Sequence, residues 1–539
     1  MNFRYAISRF PLKKPNVLLL IILSLHVAAT YYSISRRNLC IDEDSNFEYA
    51  KNWLLGKPER TDVLYDSKTP MTAPALVPRI VKQLIHHGMK MGDYGVEDKR
   101  EGRYMMVIYS LLCALYIYRW AKQLYGGYTW SWVLILFLFD PLIIANAGLI
   151  GTDLPAGFFT LATLYHFWKY VQSRQARQLI YSSLFAGLGL VAKLTLLFLV
   201  PILAIIAIIQ LVAFSELSWK TIRRAFAKAF LAAIIILFVI NAAYYFRDSF
   251  LPLGRFHFQS IYFNHLQASL SHFSQMPIPV PSNYLYSIDL RKYNEFLKYG
   301  DPSRTFSGNY LLGEYRDSGK FWYYYLVTGM IKLPLSTIIF LLISGVAGMR
   351  NFSMKAFLTN YCFFLVPTLG FFLVLSIANP FQIGIRYLLV IWPLLYLLMG
   401  YGFVKLNQFK KGSLLNWLAP VYLFFSVLFY FPWVIAYTNE LITNKKTMYK
   451  IMADTNIDYG QSRKEKAKIL EQNPKIKLAT EKPDTGWILI DDLQLVNPRY
   501  FYQNPYRWLY VNFEPVAHFQ FVNLLFHITE ADLKRKGLQ

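Results

Sequence analysis

Six ionisable residues stand at or beside the ends of long apolar runs. They are Asp42 and Glu43 in NLCIDEDSNFEYAKNWL, Asp153 in NAGLIGTDLPAGFF, Lys193 in GLGLVAKLTLLF, Lys332 in MIKLPLS and Arg386 in NPFQIGIRYLL. Ionisable groups at membrane depth are costly and are kept for function. Acids and cations gathered at one interface suit transfer from a lipid phosphate, such as a polyprenyl-phosphate-linked sugar. Lys or Arg neutralise the charge that develops on the departing phosphate, and a carboxylate takes the proton of the attacking hydroxyl. No soluble nucleotide is needed, and the chain has neither a GxGxxG nor a GxxxxGK[ST] motif.

Membrane helices must position these groups. Of 539 residues, 55% are hydrophobic and 16% charged, against about a quarter charged in soluble domains. Apolar runs occur near 15–34, 104–118, 126–147, 153–169, 179–193, 195–214, 229–246, 333–349, 356–377, 385–404 and 415–437. They predict an all-α polytopic membrane protein with about eleven crossings. With the N-terminus cytoplasmic, the short segments on that side carry eighteen Lys or Arg against one acid, Glu216. That bias sets the orientation and explains the net charge of +24 without nucleic acid.

The same orientation places the six charged residues on the outer side, with loops near 35–103 and 247–332 and the tail from 438. Residues 1–437 are the expected transmembrane domain. Residues 438–539 are an expected small extracytoplasmic α/β domain, because GWILIDD and RWLYVNFEPVAHFQF alternate as strands do. Three separated cysteines, Cys40, Cys113 and Cys362, give no disulfide framework or zinc spacing.

The chain resembles the GT-C membrane glycosyltransferases, specifically the bacterial branch of the family-39, protein-mannosyltransferase-like enzymes. The resemblance rests on IDED after the first run, GTDLP, GLGLVAKLTLLFLVP, YLLGEYRDSGKFWYYYLVTGMIKLPL, GIRYLLVIWPLL and the tail motif DTNIDYGQ followed by YRWLYVNFEPVAHF. It implies an inverting enzyme of the bacterial inner membrane in which Asp42 is the catalytic base. Glu43 and Asp153 would assist, while Lys193, Lys332 and Arg386 would bind the donor phosphate. The tail motif, through Asp454, Asn456, Asp458, Tyr459 and Gln461, would shape an acceptor or sugar site. Related bacterial sequences carry Trp where this chain has Tyr459, and a Tyr can still stack on a sugar. The acceptor would be a lipid, a polysaccharide or a protein; the eukaryotic members' inserted sugar-binding-like domain is missing from this sequence.

Blander readings stand beside these. Asp42, Glu43 and Asp153 also suit helix N-termini, Lys193 a snorkelling turn, and Lys332 and Arg386 anchors to lipid head groups. The tail motif also suits an Asx-rich turn. The paired acids could bind a divalent cation, but their number and spacing do not demand one. A transporter of lipid-linked saccharides would also gather charge around a cavity. It would usually show internal repeats and midplane sites, whereas here the halves show no repeat and the charges share one interface. A membrane acyltransferase would want a histidine or serine centre, and none stands out.

Overall fold

The computed structural model describes residues 15–59, 67–86, 90–92, 94–214, 218–300, 308–317, 319–498 and 501–538. It is mainly helical, and each expected apolar run carries helix. The helices that frame the site are Pro15–Arg36, Asp153–Ser173, Ala176–Ala192 and Trp392–Leu406. Among the described residues, six helices are long and apolar enough to cross a membrane, or eight if two bent pairs each form one span. The chain is a multi-pass membrane protein. Length and composition do not reach the expected count of eleven, because several helices are short or broken.

The breaks have local causes. Tyr324–Lys332 and Leu335–Arg350 meet at 116°. Pro334 lies between them, removing a backbone donor and forcing Leu333 to an extended conformation. Thr129–Leu138 and Pro141–Ala147 meet at 61°. There Asp140 caps the second helix, accepting from Leu142 N at 2.7 Å.

In the tail a four-stranded sheet has the order Ile476–Leu478, Gly486–Asp491, Asn523–Ile528, Ala517–Phe519. The first pair is parallel and the other two antiparallel. Ile488, Leu489 and Ile490 are all buried, because the central strand is covered on both faces. Ile469 of the helix Arg463–Gln472 packs against Leu489. Tyr310 and Tyr315, from the hairpin Asn309–Leu311/Glu314–Arg316, join Ile488, Ile490 and Phe526. The hairpin thus shares a core with the tail.

Candidate active site

Asp42 occupies the cap position of the helix Glu43–Leu54, yet its carboxylate makes no capping bond. Its Oδ2 accepts from Arg386 Nη2 at 3.0 Å and from the Tyr459 hydroxyl, while Oδ1 faces Lys68 Nζ at 3.5 Å. Asp153 opens its helix but pairs with Lys193 and, at 3.4 Å, with Arg386 Nη1. Arg386 Nη1 also donates to the Tyr459 oxygen at 2.6 Å, and its guanidinium lies 4.6 Å from the Tyr459 ring centroid. Lys193 lies 4.5 Å from the centroid of the Tyr387 ring.

Each group is held by its local sequence. Gly157 lets the helix Asp153–Ser173 approach the segment Ile385–Val390; a Cβ there would sit 2.5 Å from Leu389 O. That contact brings Asp153 to Arg386. The Thr69 hydroxyl donates to Ala192 O at 3.1 Å, fixing Lys68 beside the end of the helix that leads to Lys193. Asn456 Oδ1 accepts from Ile385 N at 3.0 Å and its Nδ2 donates to the Tyr324 hydroxyl at 2.8 Å, clamping the residue before Arg386. Two backbone bonds, Asn38 N to Gln461 O at 2.9 Å and Ile41 N to Tyr459 O at 3.2 Å, fasten the tail motif to the irregular segment leading into Asp42.

Electrostatically, the three cations Lys68, Lys193 and Arg386 face the two carboxylates Asp42 and Asp153, a net charge of +1. Arg291 is near enough to act on Lys193 and Tyr387. Burial alone would raise the Asp42 pKa, but Lys68, Arg386 and the Tyr459 hydroxyl together hold it well below the usual carboxylate range. The Asp42 side chain is 36% exposed, against 8–14% for Lys68, Asp153, Lys193 and Arg386. It is therefore the group in the set most open to an incoming molecule. Arg386 Nε is buried with no hydrogen-bond partner, so the guanidinium keeps a donor in hand.

The remaining expected residues take other places. Glu43 is buried in a forked pair with Arg103, and its oxygens also accept from Cys40 N at 2.6 Å and Ile150 N at 3.0 Å. It ties three segments together behind Asp42. Lys332 lies outside the ion cluster, its ammonium buried and donating to Ile435 O at 2.8 Å and to Asn456 O. Of the tail motif, only Tyr459 reaches the cluster. Asp454, at φ +58°, and Asp458 shape turns by accepting from Thr455 N and Gly460 N. Gln461 spans its own turn through Tyr459 N and Ile457 O. Lys68, Tyr387 and Arg291 escaped the sequence reading; Lys68 lies in a loop without periodicity. Among the described residues, no group of three or more His, Cys, Asp or Glu side chains is arranged to hold a metal ion.

Residues 86–260 match the family described as "Dolichyl-phosphate-mannose-protein mannosyltransferase". The matched stretch contains Asp153 and Lys193 but not Asp42, Lys68 or Arg386. No curated protein matches the chain. Among solved structures, ArnT from Cupriavidus metallidurans bound to undecaprenyl phosphate is 13% identical, with a TM-score of 0.48, over 77% of this chain and 64% of that one. The archaeal oligosaccharyltransferase AglB from Archaeoglobus fulgidus, in complex with an inhibitory peptide and a dolichol-phosphate, is 12% identical. Its TM-score is 0.45, over 82% of this chain and 59% of that one. The Pmt1-Pmt2 complex of S. cerevisiae, bound to the sugar donor, is 19% identical with a TM-score of 0.33, over 44% and 33%. The chain spans less than two thirds of the length of these solved chains.

Proposed function

We propose that this chain is a protein-mannosyltransferase-like GT-C membrane enzyme that transfers a sugar from a polyprenyl-phosphate-linked donor to an acceptor hydroxyl, with inversion, on the outer face of a bacterial inner membrane. The observation that carries the reading is the ring of Lys68, Lys193 and Arg386 around Asp42 and Asp153.

A phosphodiester donor carries one negative charge, matching the net +1 of the ring. As the bond from the anomeric carbon to the phosphate oxygen breaks, the bonding pair stays on that oxygen and the phosphate gains its second negative charge there. The cations stabilise it where it forms. The acceptor oxygen bonds to the anomeric carbon from the opposite face, and its proton passes to Asp42.

A base held as acidic as Asp42 is weak. Donor phosphate competes for Arg386 and Lys68, the two cations that depress its pKa. Asp42 thus strengthens as a base when donor is bound, which couples proton removal to donor occupancy. Asp153 keeps Lys193 and Arg386 aimed at the phosphate.

The test is a transfer assay in membranes with radiolabelled polyprenyl-phosphate sugars, the products separated into lipid, polysaccharide and protein fractions. Label should move from one donor into one fraction, which names the acceptor class. If no donor is consumed while labelled lipid-linked saccharide crosses the bilayer, the chain is a transporter and this reading fails.

A further inference from the structure

The turn 458–461 has two sides. Tyr459 points its hydroxyl at Asp42 and Arg386. Asp458, one residue earlier, faces a separate cavity of about 390 Å³ in the tail. That volume lies at the lower end of ordinary small-ligand sites, which run from about 300 to 1,000 Å³. The floor is built from buried groups: Asp458, 4% exposed, and Asn523, fully buried. The walls and rim are Arg463, Lys466, Asp491 and Gln494.

Lys466 pairs with Asp491, and Gln494 N donates to the same carboxylate at 2.9 Å. Gly460, at φ +81°, leaves room for the Arg463 guanidinium, whose atoms lie 3.1–3.3 Å from where a Cβ would stand. A side chain there would push Arg463 off the rim.

One floor group has capacity to spare. Asn523 Nδ2 donates to Ser462 Oγ at 3.2 Å and Gln520 Oε1 at 3.0 Å, but its buried Oδ1 has no partner. A buried acceptor without a partner is costly unless a ligand or water supplies a donor.

The donor and acceptor set indicates what that ligand is. Lys466 and Asp491 offset each other, Arg463 is exposed to water, and burial and the neighbouring Asp491 hold the Asp458 carboxyl toward its neutral form, so no strong charge of one sign faces the cavity. Carboxylates, a guanidinium, an ammonium and two amides together offer donors and acceptors side by side. Ring hydroxyls of a saccharide both donate and accept, and match such a set. We infer that this cavity is a saccharide subsite that holds the sugar portion of the acceptor, on the far side of the turn that carries Tyr459. The inference rests on the transferase reading for the word acceptor, though not for the binding itself.

Binding is read by saturation-transfer NMR on the full-length detergent-solubilised protein with no donor present. The probes are chitotriose, mannotriose and maltotriose, with inorganic phosphate and Ca²⁺ as ion controls. At least one saccharide should give a signal. Gln494→Ala and Arg463→Ala, both exposed rim changes, should each weaken it by about 10-fold, the loss of one hydrogen bond to a charged or polar partner. Asn523→Leu should abolish it, with a thermal melt showing that the variant is folded. No saccharide signal, an unchanged signal in both rim variants, or displacement by phosphate or Ca²⁺ would overturn the subsite.

A second arm assigns it. The bound saccharide, added to the transfer assay, should raise the KM for acceptor and leave that for donor alone. A rise in donor KM would overturn the acceptor assignment. Because binding is measured without donor, failure of the transferase reading and failure of the subsite give different results.

Discussion

Arg386→Gln removes the group that touches every other member of the cluster except the two lysines. In the resting site the guanidinium donates to Asp42 at 3.0 Å, to Asp153 at 3.4 Å and to Tyr459 at 2.6 Å. Its loss lowers the net charge of the ring from +1 to zero, so a donor phosphate that reaches two charges at the transition state meets a neutral site. Loss of one preorganised electrostatic contact of this kind costs about 3–4 kcal/mol, or about 10²–10³ in kcat/KM for donor. Asp42 would relax toward an ordinary carboxylate pKa and become a better base, recovering only part of that loss. Arg386→Lys keeps the charge but not the fork that spans both carboxylates. It should lose about 10-fold, one charged hydrogen bond's worth.

The assay is initial-rate transfer in proteoliposomes over a range of donor at saturating acceptor. A melting curve on each variant is needed, because breaking a buried ion pair costs about 3–5 kcal/mol of stability. Donor kcat/KM in a folded Arg386→Gln protein within about 2-fold of wild type would refute the reasoning, since the estimated 3–4 kcal/mol requires at least a 10²-fold loss. So would a loss confined to the acceptor KM.

Three further outcomes follow from the same geometry. Asn456→Ala leaves Ile385 N and the Tyr324 hydroxyl without their partner. It should cost about 2–3 kcal/mol of stability, seen as a lower melting temperature, and should lower transfer by letting Arg386 drift. Glu43→Gln halves the forked pair with Arg103 in a site 1% exposed. Stability should fall by about 3–5 kcal/mol; a stable protein without transfer would instead make Glu43 a catalytic group. Burial and the neighbouring Asp491 raise the Asp458 carboxyl to about 7. The folded tail therefore holds a proton that the unfolded chain, with a carboxylate near 3.9, releases sooner. The resulting stability is fully present at acid pH and lost as pH rises through about 7. Melting temperature should fall across that window in wild type and stay flatter in Asp458→Asn.

The set of charges at the helix ends was readable because apolar runs make each ionised residue conspicuous. Asp42, Asp153, Lys193 and Arg386 do meet. Which of two adjacent acids faces the cluster was not readable. Asp42 and Glu43 open one helix, and it is Arg103 together with the backbone N–H groups of Cys40 and Ile150 that turns Glu43 inward. Lys68 was invisible because the bond that places it, Thr69 to Ala192, joins residues 123 apart in sequence. Lys332 sat at the expected run boundary, but the bend at Pro334 places its ammonium beside the carbonyls of Ile435 and Asn456. The tail motif stood out as a motif, yet most of its polar atoms are spent on its own turns and on residues 38–41 and 383–385. Tyr459 alone extends to the ions.

The central claim is that Asp42 takes the acceptor proton while the surrounding cations hold the phosphate. Single-turnover transfer by Asp42→Asn against wild type, at saturating donor and acceptor with donor binding measured separately, tests it most directly. The account predicts a fall of about 10²–10⁴ in rate, with donor affinity kept or raised because a competing carboxylate has gone. Transfer by Asp42→Asn at the wild-type rate would contradict it.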